Sequence, residues 1–549
     1  MIHPAEFETV ETSWRTGMPA DPTAWAGETM RRMSPRRRWA QLLHPIFRGS
    51  DPAWHDIQPG GIFLPHGPWR EARALVDQWM DTFDIVPVVS GDHECRMDFQ
   101  EGISVGSAMN LGAIRDIERA SLLAHEVGRL CAAQARAAGV SWTFAPVADV
   151  NVNPENPITN FRSFGDDPAR VAALVSAFVR GAQSLGLAAT LKHFPGDGLD
   201  GRDQHVTTPV NPLGLDAWWK TSGAPFRAGL EAGAWSVMIG HIACPALEAD
   251  PSHARRPATI SPSILGFLRR EFGFDGVIVT DALGMGGLQW HVHSEFDAVV
   301  QCLAAGADMI LFPPDLAGSL DAIEAALADG VLSADRLEAS VVRVLSLKAR
   351  LGLPGGRDAF PADGASVFET AIKSELPEVV SRESISLCRG HLPCKLEPGN
   401  RVLIVELPLE EPDAGGLVVV GQTRRTGDPR FAEALRRRGV DAHLVNDPAA
   451  FFELAVGARA AIYRFHSRPQ AGRGSIKLAY RALQWIELTR EPRDLPRIYV
   501  SSGSPYVANE LPLPHLLCGF SDVNAVTEAC ADVLCGRWSP SGTCPVRLG

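Results

Sequence analysis

The chain has 549 residues, which is too long for a single hydrophobic core, so at least two domains are expected. Hydrophobic residues make up 45% and charged residues 21%, as in ordinary globular proteins, and the formal net charge of -12 argues against nucleic acid or an anionic membrane as a partner. No apolar run approaches the roughly 20 residues of a membrane span, and no secretory signal is visible, so we expect a cytoplasmic protein. The ten cysteines include no C-x-x-C pair, so we expect free thiols and no metal site.

The first part of the chain alternates short apolar runs with segments that have helical spacing. After a polar, proline-containing N-terminal arm (residues 1–34), eight apolar runs follow one another. They are 39–43, 61–64, 85–90, 143–147, 188–191, 236–240, 276–280 and 308–312. Stretches between them, such as 117–135 and 168–185, have apolar residues three or four positions apart, as in amphipathic helices. This alternation predicts a (β/α)8 barrel of the TIM type over residues 35–352.

The pattern changes after a Pro/Gly-rich stretch, residues 353–366, which we interpret as a linker. A second alternating series follows, with apolar runs at 402–406, 417–420, 442–445, 460–465 and 497–501. Together with helices such as 429–438, this series predicts a smaller C-terminal α/β sandwich domain over residues 367–549. The predicted fold class is therefore α/β, a barrel followed by a second α/β domain.

Polar side chains with catalytic potential follow five of the predicted barrel strands. Asp92 follows the third strand, Arg162 lies in the segment after the fourth, Lys192 follows the fifth, His241 the sixth and Asp281 the seventh. Active sites of these barrels lie at the carboxyl ends of the strands. We therefore expect these side chains to converge on one face of the barrel.

The loop after the fifth strand carries a second group of this kind. Residues 192–198 read K-H-F-P-G-D-G, and the Pro-Gly and Asp-Gly pairs end regular structure and begin a loop that holds Asp203 and His205. With one residue between them on a turn, an Asp and a His can hydrogen-bond, and the Asp then fixes the imidazole tautomer and supports its charged form. A histidine held in this way is suited to general acid/base catalysis.

The pattern K-H-F-P-G-x-G-x4-D-x-H, which begins at Lys192, resembles glycoside hydrolase family 3 enzymes of the β-N-acetylglucosaminidase (NagZ-like) branch. Similar matches are N-x-N-P-x-N-P followed by R-S-F-G around Arg162, G-F-D-G-V-I-x-T-D-x-L-x-M around Asp281, and G-x-x-x-P-S-G-x-x-P-V near the end of the chain. The resemblance covers most of the chain. It implies a retaining exo-β-glycosidase that cleaves a terminal β-linked N-acetylglucosamine-type residue from a carbohydrate substrate without a metal or organic cofactor.

The resemblance also implies a role for each matching residue. Asp281 is the expected nucleophile, which forms a covalent glycosyl-enzyme, and His205 with Asp203 is the expected acid/base dyad. The residues that match the family's sugar-binding positions are Asp92, Arg162, Lys192 and His193. Considered alone, Asp281 would also fit a cap on the following helix, and His205 a histidine of a surface loop.

Two positions depart from the pattern of this branch. Asp197 stands where a second histidine is usual. After Glu94 the chain continues Cys-Arg-Met-Asp (95–98), where that branch has a Gly-Gly pair and a further arginine, so Arg96 is only a candidate for that arginine. A β-glucosidase or a phosphorylase of the same family therefore remains an alternative, because a neutral imidazole does not repel phosphate as a carboxylate would. A non-enzymatic sugar sensor is disfavoured, since both catalytic positions are filled.

Overall fold

The computed structural model shows a parallel β/α barrel followed by a smaller α/β domain. It describes residues 7–49, 53–408, 428–466, 469, 471–472, 477–478 and 480–549. One strand predicted for the second domain, 417–420, lies outside these residues. Within the described ranges, no helix has the length and apolar content needed to cross a membrane.

The predicted N-terminal arm contains two helices, α1 (Glu8–Thr16) and α2 (Pro22–Arg32). Val10 of α1 and Met30 of α2 are buried, and α2 packs along a helix near the end of the barrel, Ala334–Arg350. The arm is thus packed against the barrel. The boundaries assigned to the domains stay predictions.

The first predicted strand is displaced, because residues 39 and 40 belong to a helix, α3 (Pro35–Ala40). A serine followed by a proline favours the start of a helix, and here Ser34 precedes Pro35. The apolar run 39–43 therefore joins the buried end of this helix to the beginning of the first strand.

The barrel strands are short, buried and parallel. In the described residues they are β1 (Leu43–His44), β2 (Gly61–Phe63), β3 (Val88–Gly91), β4 (Trp142–Thr143), β5 (Thr190–Phe194), β6 (Ser236–Ile239), β7 (Val277–Thr280) and β8 (Ile310–Leu311). Ladders join β2 to β3 and β3 to β4, β5 to β6 and β6 to β7, and β8 to β1. Single parallel bridges complete the ring, namely Ile46 to Phe63, Trp142 to Ala188 and Val279 to Met309. The prediction of a (β/α)8 barrel is confirmed.

Helices surround the strands and connect them. They are α4 (Ala53–Ile57), α5 (Trp69–Thr82), α6 (Ala108–Ala113), α7 (Ile117–Ala137), α8 (Pro168–Ser184), α9 (Leu215–Lys220), α10 (Gly223–Glu231), α11 (Pro262–Glu271), α12 (Gly286–Gln289), α13 (Glu295–Ala305), α14 (Leu316–Ala328) and α15 (Ala334–Arg350). The helices predicted at 117–135 and 168–185 are confirmed as α7 and α8, which pack against each other. Because every strand runs in the same direction, all the strand carboxyl ends lie on one face of the barrel.

The second domain is a sheet with helices on its faces. Its strands are β9 (Ser386–Arg389), β10 (Arg401–Pro408), β11 (Asp441–Leu444), β12 (Ala460–His466), β13 (Arg497–Ser501) and β14 (Leu516–Cys518), in the order β11-β10-β12-β13-β14-β9. Helix α16 (Gly364–Ala371) packs on α7 of the barrel. The helices of the second domain are α17 (Leu376–Ser384), α18 (Arg430–Arg437), α19 (Pro448–Ala455), α20 (Tyr480–Leu488), α21 (Val507–Glu510) and α22 (Asn524–Leu534). The sheet is parallel except at β9, which pairs antiparallel with β14.

The second domain packs directly on the barrel through buried polar contacts. Asn110 Nδ2 of α6 donates to the Gly519 carbonyl at 2.7 Å, and Asn151 Nδ2 donates to the Tyr506 hydroxyl at 2.7 Å. Asn151 follows β4 and begins the segment that leads to Arg162. The second domain therefore supports a loop of the barrel face where the strands end.

Candidate active site

Asp281 directly follows β7, at the carboxyl end of the strand. Its Oδ1 accepts a hydrogen bond from the Ala282 N–H at 2.8 Å. Burial raises the pKa of this carboxyl, but three nearby histidines and the Ala282 hydrogen bond outweigh that effect, so the pKa lies below its ordinary value. The histidines are His193, His241 and His205. The protein thus holds Asp281 as a carboxylate, the form that a nucleophile requires.

Asp203 and His205 form the predicted hydrogen-bonded dyad. His205 Nδ1 lies 2.9 Å from Asp203 Oδ1, which also accepts the His205 backbone N–H at 2.8 Å. The Asp203 side chain is completely buried, whereas that of His205 is 30% exposed. Because an ionised carboxylate only accepts, Nδ1 carries the shared proton and Nε2 is the nitrogen that can exchange a proton with a ligand.

The dyad loop rests on the segment that follows Asp281. The Gly286 and Gly287 N–H groups donate to the carbonyls of His205 and Gln204, each at 2.9 Å. A Cβ added at Gly286 would lie 2.3 Å from the Val206 carbonyl oxygen, and one at Gly287 would lie 2.7 Å from that of Gln204. These two glycines are needed for close backbone approach, which couples the position of the dyad to that of Asp281.

Two of the four predicted sugar-binding residues, Lys192 and Arg162, bind the carboxylate of Glu94, and Lys192 also binds a third, Asp92. Lys192 Nζ lies 2.6 Å from Glu94 Oε1 and 3.1 Å from Asp92 Oδ1. Arg162 binds Glu94 as a fork, with Nε to Oε2 at 2.9 Å and Nη2 to Oε1 at 2.5 Å. Burial raises the pKa of Glu94, but Arg162 and Lys192 outweigh burial and hold it well below its usual range. Glu94 was not among the predicted site residues, although its place two positions after Asp92 was a signal.

His193, the fourth predicted sugar-binding residue, is oriented by Asp149. Its Nδ1 lies 2.7 Å from Asp149 Oδ2, and its backbone N–H donates to Asp149 Oδ1 at 3.0 Å. Asp149 is fully buried, and the same Oδ1 accepts the Asp197 N–H at 2.8 Å. Burial and the neighbouring Asp149 raise the pKa of Asp197 to about 6. The role of Asp149 was not predicted, although it follows the fourth strand.

His241 follows β6 but serves a different purpose from the dyad histidine. Its Nδ1 lies 2.7 Å from Thr259 Oγ1 and its Nε2 lies 2.9 Å from the Ala282 carbonyl oxygen. Burial lowers its pKa below the ordinary value. Both ring nitrogens are therefore engaged, and His241 holds the segment directly after Asp281.

A cavity of about 300 Å³ opens at this face, and both domains contribute to it. Its lining residues are Asp92, Glu94, Arg96, Asp98, Ile158, Arg162, His205, Pro469 and Ala471. Pro469 and Ala471 belong to the second domain, and the neighbouring Gly472 N–H donates to Asp203 Oδ2 at 2.9 Å. Arg96 is exposed, and within the described residues its guanidinium has no ion pair. The cavity therefore brings Arg96 and Arg162 close to the dyad histidine.

Known proteins that are similar to this chain match it over part or most of its length. A family model described as the glycosyl hydrolase family 3 N terminal domain matches residues 68–347. A beta-N-acetylglucosaminidase/beta-glucosidase of Cellulomonas fimi is 31% identical over 552 residues, covering 96% of this chain and 96% of the relative. A beta-hexosaminidase of Stenotrophomonas maltophilia (strain K279a) is 39% identical over 223 residues, covering 39% of this chain and 62% of the relative.

Solved structures are similar over both domains. The beta-glucoside phosphorylase BglX matches with a TM-score of 0.85 and 27% identity, covering 98% of each chain. A glycoside hydrolase family 3 beta-N-acetylglucosaminidase from Paenibacillus sp. str. FPU-7 matches with a TM-score of 0.79 and 28% identity, covering 94% of this chain and 99% of the other.

Proposed function

The chain belongs to glycoside hydrolase family 3, and we propose that it is a retaining exo-β-glycosidase that removes a terminal β-linked N-acetylglucosamine-type residue. It is an enzyme that acts on β-glycosides. One observation carries the finer proposal: a half-buried carboxylate, Asp281, and a hydrogen-bonded dyad, His205 with Asp203, stand on two loops that contact each other. These are the two groups that a retaining mechanism needs.

In the first step, Asp281 attacks the anomeric carbon and the glycosidic bond breaks. The departing oxygen takes a proton from His205 Nε2, so the aglycone leaves as a neutral alcohol. The sugar remains as an ester on Asp281. The Asp92 carboxylate accepts hydrogen bonds from the sugar hydroxyls, and Arg162, Lys192 and His193 donate to them.

In the second step, a water molecule attacks the anomeric carbon from the opposite face. His205 Nε2 accepts the proton of the water, the ester bond to Asp281 breaks, and the sugar leaves with its β configuration retained. The buried Asp203 carboxylate supports the imidazolium that donates the proton in the first step and forms again in the second. The charge of the dyad is therefore restored after each turnover.

Phosphorolysis is a second candidate, favoured by one specific observation. The acid/base is an imidazole and not a carboxylate, and the exposed Arg96 guanidinium lines the same cavity. Neither group repels an anionic acceptor. Phosphate would then attack the glycosyl-enzyme in place of water and release a sugar 1-phosphate. The phosphorylase name of one similar structure, BglX, gives this alternative further support.

Initial rates on nitrophenyl β-N-acetylglucosaminide and nitrophenyl β-glucoside near neutral pH, with and without phosphate, test the proposal. We expect a preference for the acetamido sugar, free sugar as the product and a large loss of rate in His205→Ala. A suitable control is His253→Ala, since His253 pairs with Asp250 at 3.4 Å in an exposed loop. A preference for the glucoside, or a sugar 1-phosphate as the main product, would favour the alternatives.

Asp281→Ala separates an enzyme from a sugar sensor. An enzyme loses turnover with this substitution, whereas a sensor keeps its response to the sugar. Sugar binding measured by calorimetry shows whether the variant still has an intact pocket.

A further inference from the structure

Trp290 is the most exposed large apolar side chain among the described residues, with 79% of its surface accessible. It directly follows α12, on the segment that leads away from Asp281. A tryptophan has the largest side chain and is strongly buried in most proteins. An exposed tryptophan beside a catalytic loop therefore points to a ligand.

The ring of Trp290 is held in place by the acid/base loop. Its Nε1–H donates to the Val206 carbonyl at 2.9 Å, and Val206 directly follows His205. The indole has only one hydrogen-bonding group, and this bond uses it. The ring faces thus remain as apolar surfaces, and the Val206 side chain, 46% exposed, adds to that apolar surface.

Two further contacts attach the same segments to each other. The Trp290 N–H donates to the Gly286 carbonyl at 3.3 Å, and His291 Nε2 lies 2.8 Å from Thr208 Oγ1. Because Gly286 also contacts the His205 carbonyl, the acid/base loop and the tryptophan segment are joined along their length. A ligand that touches Trp290 therefore meets a surface that is fixed relative to His205.

We propose that Trp290 forms the aglycone subsite, and that it takes a carbohydrate leaving group whose C–H face stacks on the indole. This inference rests on the proposed glycosidase function. The oxygen of the leaving group receives its proton from His205, so the aglycone departs on the side of the acid/base loop. A pyranose presents an apolar face of axial hydrogens, and a large aromatic ring is the side chain that matches it.

The test compares two donors that carry the same sugar, a β-1,4-linked disaccharide and the glycosyl fluoride, which has no aglycone to stack. In Trp290→Ala we expect kcat/KM for the disaccharide to fall about tenfold, as for a lost aromatic contact of roughly 1.4 kcal/mol. The rate on the fluoride should not change. An equal loss of kcat/KM on both donors, or no loss on either, would overturn the proposal that Trp290 forms the aglycone subsite.

Trp290→Phe separates stacking from anchoring, because it keeps an aromatic face but removes the bond to Val206. We expect this variant to retain most of the disaccharide rate that the alanine variant loses, and a rate as low as in Trp290→Ala would contradict the proposal. Phe452→Ala removes another exposed aromatic ring, 43% accessible, from α19 of the second domain and should leave both rates unchanged. Failure of the unaltered enzyme to cleave the fluoride would count against the glycosidase reaction itself.

Discussion

Glu94 is the residue on which the charge balance of the proposed sugar-binding cluster depends. It neutralises Lys192 and Arg162, which are 3% and 25% exposed at the side chain. A buried cation without its carboxylate is costly, since water no longer solvates it. The cluster therefore needs Glu94 for stability as well as for the orientation of the two cations.

Glu94→Gln should lower the free energy of unfolding by about 3 kcal/mol, which is the low end of the range of costs for removing one partner of a buried ion pair. The KM for the sugar should rise, because Lys192 and Arg162 lose the carboxylate that orients them. Chemical denaturation and steady-state kinetics measure the two effects. In the control Glu155→Gln the broken pair with Lys477 is exposed, so a change below about 1 kcal/mol is expected. Equal losses in the two variants would refute this account.

Asp197 makes stability depend on pH. Its pKa is about 6 in the folded protein, above the ordinary 3.8, so the folded state binds the proton more tightly than the unfolded state. The carboxyl therefore lowers stability as pH rises from 3.8 to about 6, and the full cost is present above that range.

Asp197→Asn should accordingly be more stable than the unaltered protein at pH 7.5, by on the order of 2 kcal/mol, and should show no such gain near pH 4. Thermal unfolding at both pH values measures the difference. Asp200 provides a control of opposite sign, because the pKa of its carboxyl is lowered: burial raises it, but hydrogen bonds from Arg202 and Val210 outweigh burial. Asp200→Asn should therefore destabilise at pH 7.5. A pH-independent effect of Asp197→Asn would contradict the explanation.

The sequence indicated which candidate side chains come together better than it indicated the residues that support them. Motif and strand-end position pointed to Asp92, Arg162 and Lys192, and these three side chains meet. No role was predicted for Asp149, because it holds another side chain, His193, across 44 positions of sequence. Such contacts depend on tertiary packing, which no local pattern encodes.

At the scale of elements, apolar patterning predicted most strands of the second domain but missed β9 and β14. The run 497–501 coincides with β13, which is buried over most of its length. By contrast, β14 has only three residues, and β9 is an edge strand whose last three residues are partly exposed. Neither has the length of apolar sequence by which a strand is recognised.

The contact between the dyad loop and the segment after Asp281 yields an element-scale prediction. Gly286→Ala has no space for its Cβ, so it should push the dyad loop away and displace His205. The loss should be largest for substrates with poor leaving groups, which need a proton from the acid, and small for dinitrophenyl glycosides, which do not. Rates across a series of leaving groups measure this dependence.

Gly284→Ala is the matched control, because nothing lies within 4 Å of a Cβ added there. It should leave the dependence on the leaving group as in the unaltered enzyme. The same dependence in both glycine variants would show that the contact between the two segments does not position His205.

At the scale of the whole molecule, the second domain reaches the proposed catalytic dyad. The Gly472 N–H donates to Asp203 Oδ2 across 269 positions of sequence, and Asn151 bonds Tyr506 across 355. The sequence predicted both domains, but it could not predict that they share a site, because nothing in either segment reveals how the domains pack. The second domain thus contributes to the acid/base group as well as to the cavity wall.

Gly472→Pro removes the N–H that binds Asp203, so it should weaken acid catalysis about tenfold on poor leaving groups, as for the loss of one hydrogen bond to a charged group. Gly457→Pro is the control, because the φ of Gly457, 77°, matches the 78° of Gly472, and neither glycine has an atom within 4 Å of an added Cβ. Gly457 lies before β12, at the amino end of the strand. Kinetics on unactivated glycosides compare the two variants. Equal rates in both would mean that the bond to Asp203 is dispensable.

The most direct test of the retaining mechanism is mass spectrometry of His205→Ala after incubation with a dinitrophenyl β-glycoside. This donor does not need the acid in the first step, while the second step lacks its base, so the glycosyl-enzyme should accumulate. We predict the mass of one sugar residue on the peptide that contains Asp281, and no adduct in the double variant with Asp281→Ala. An adduct on a different carboxylate, or turnover without any covalent intermediate, would contradict the mechanism.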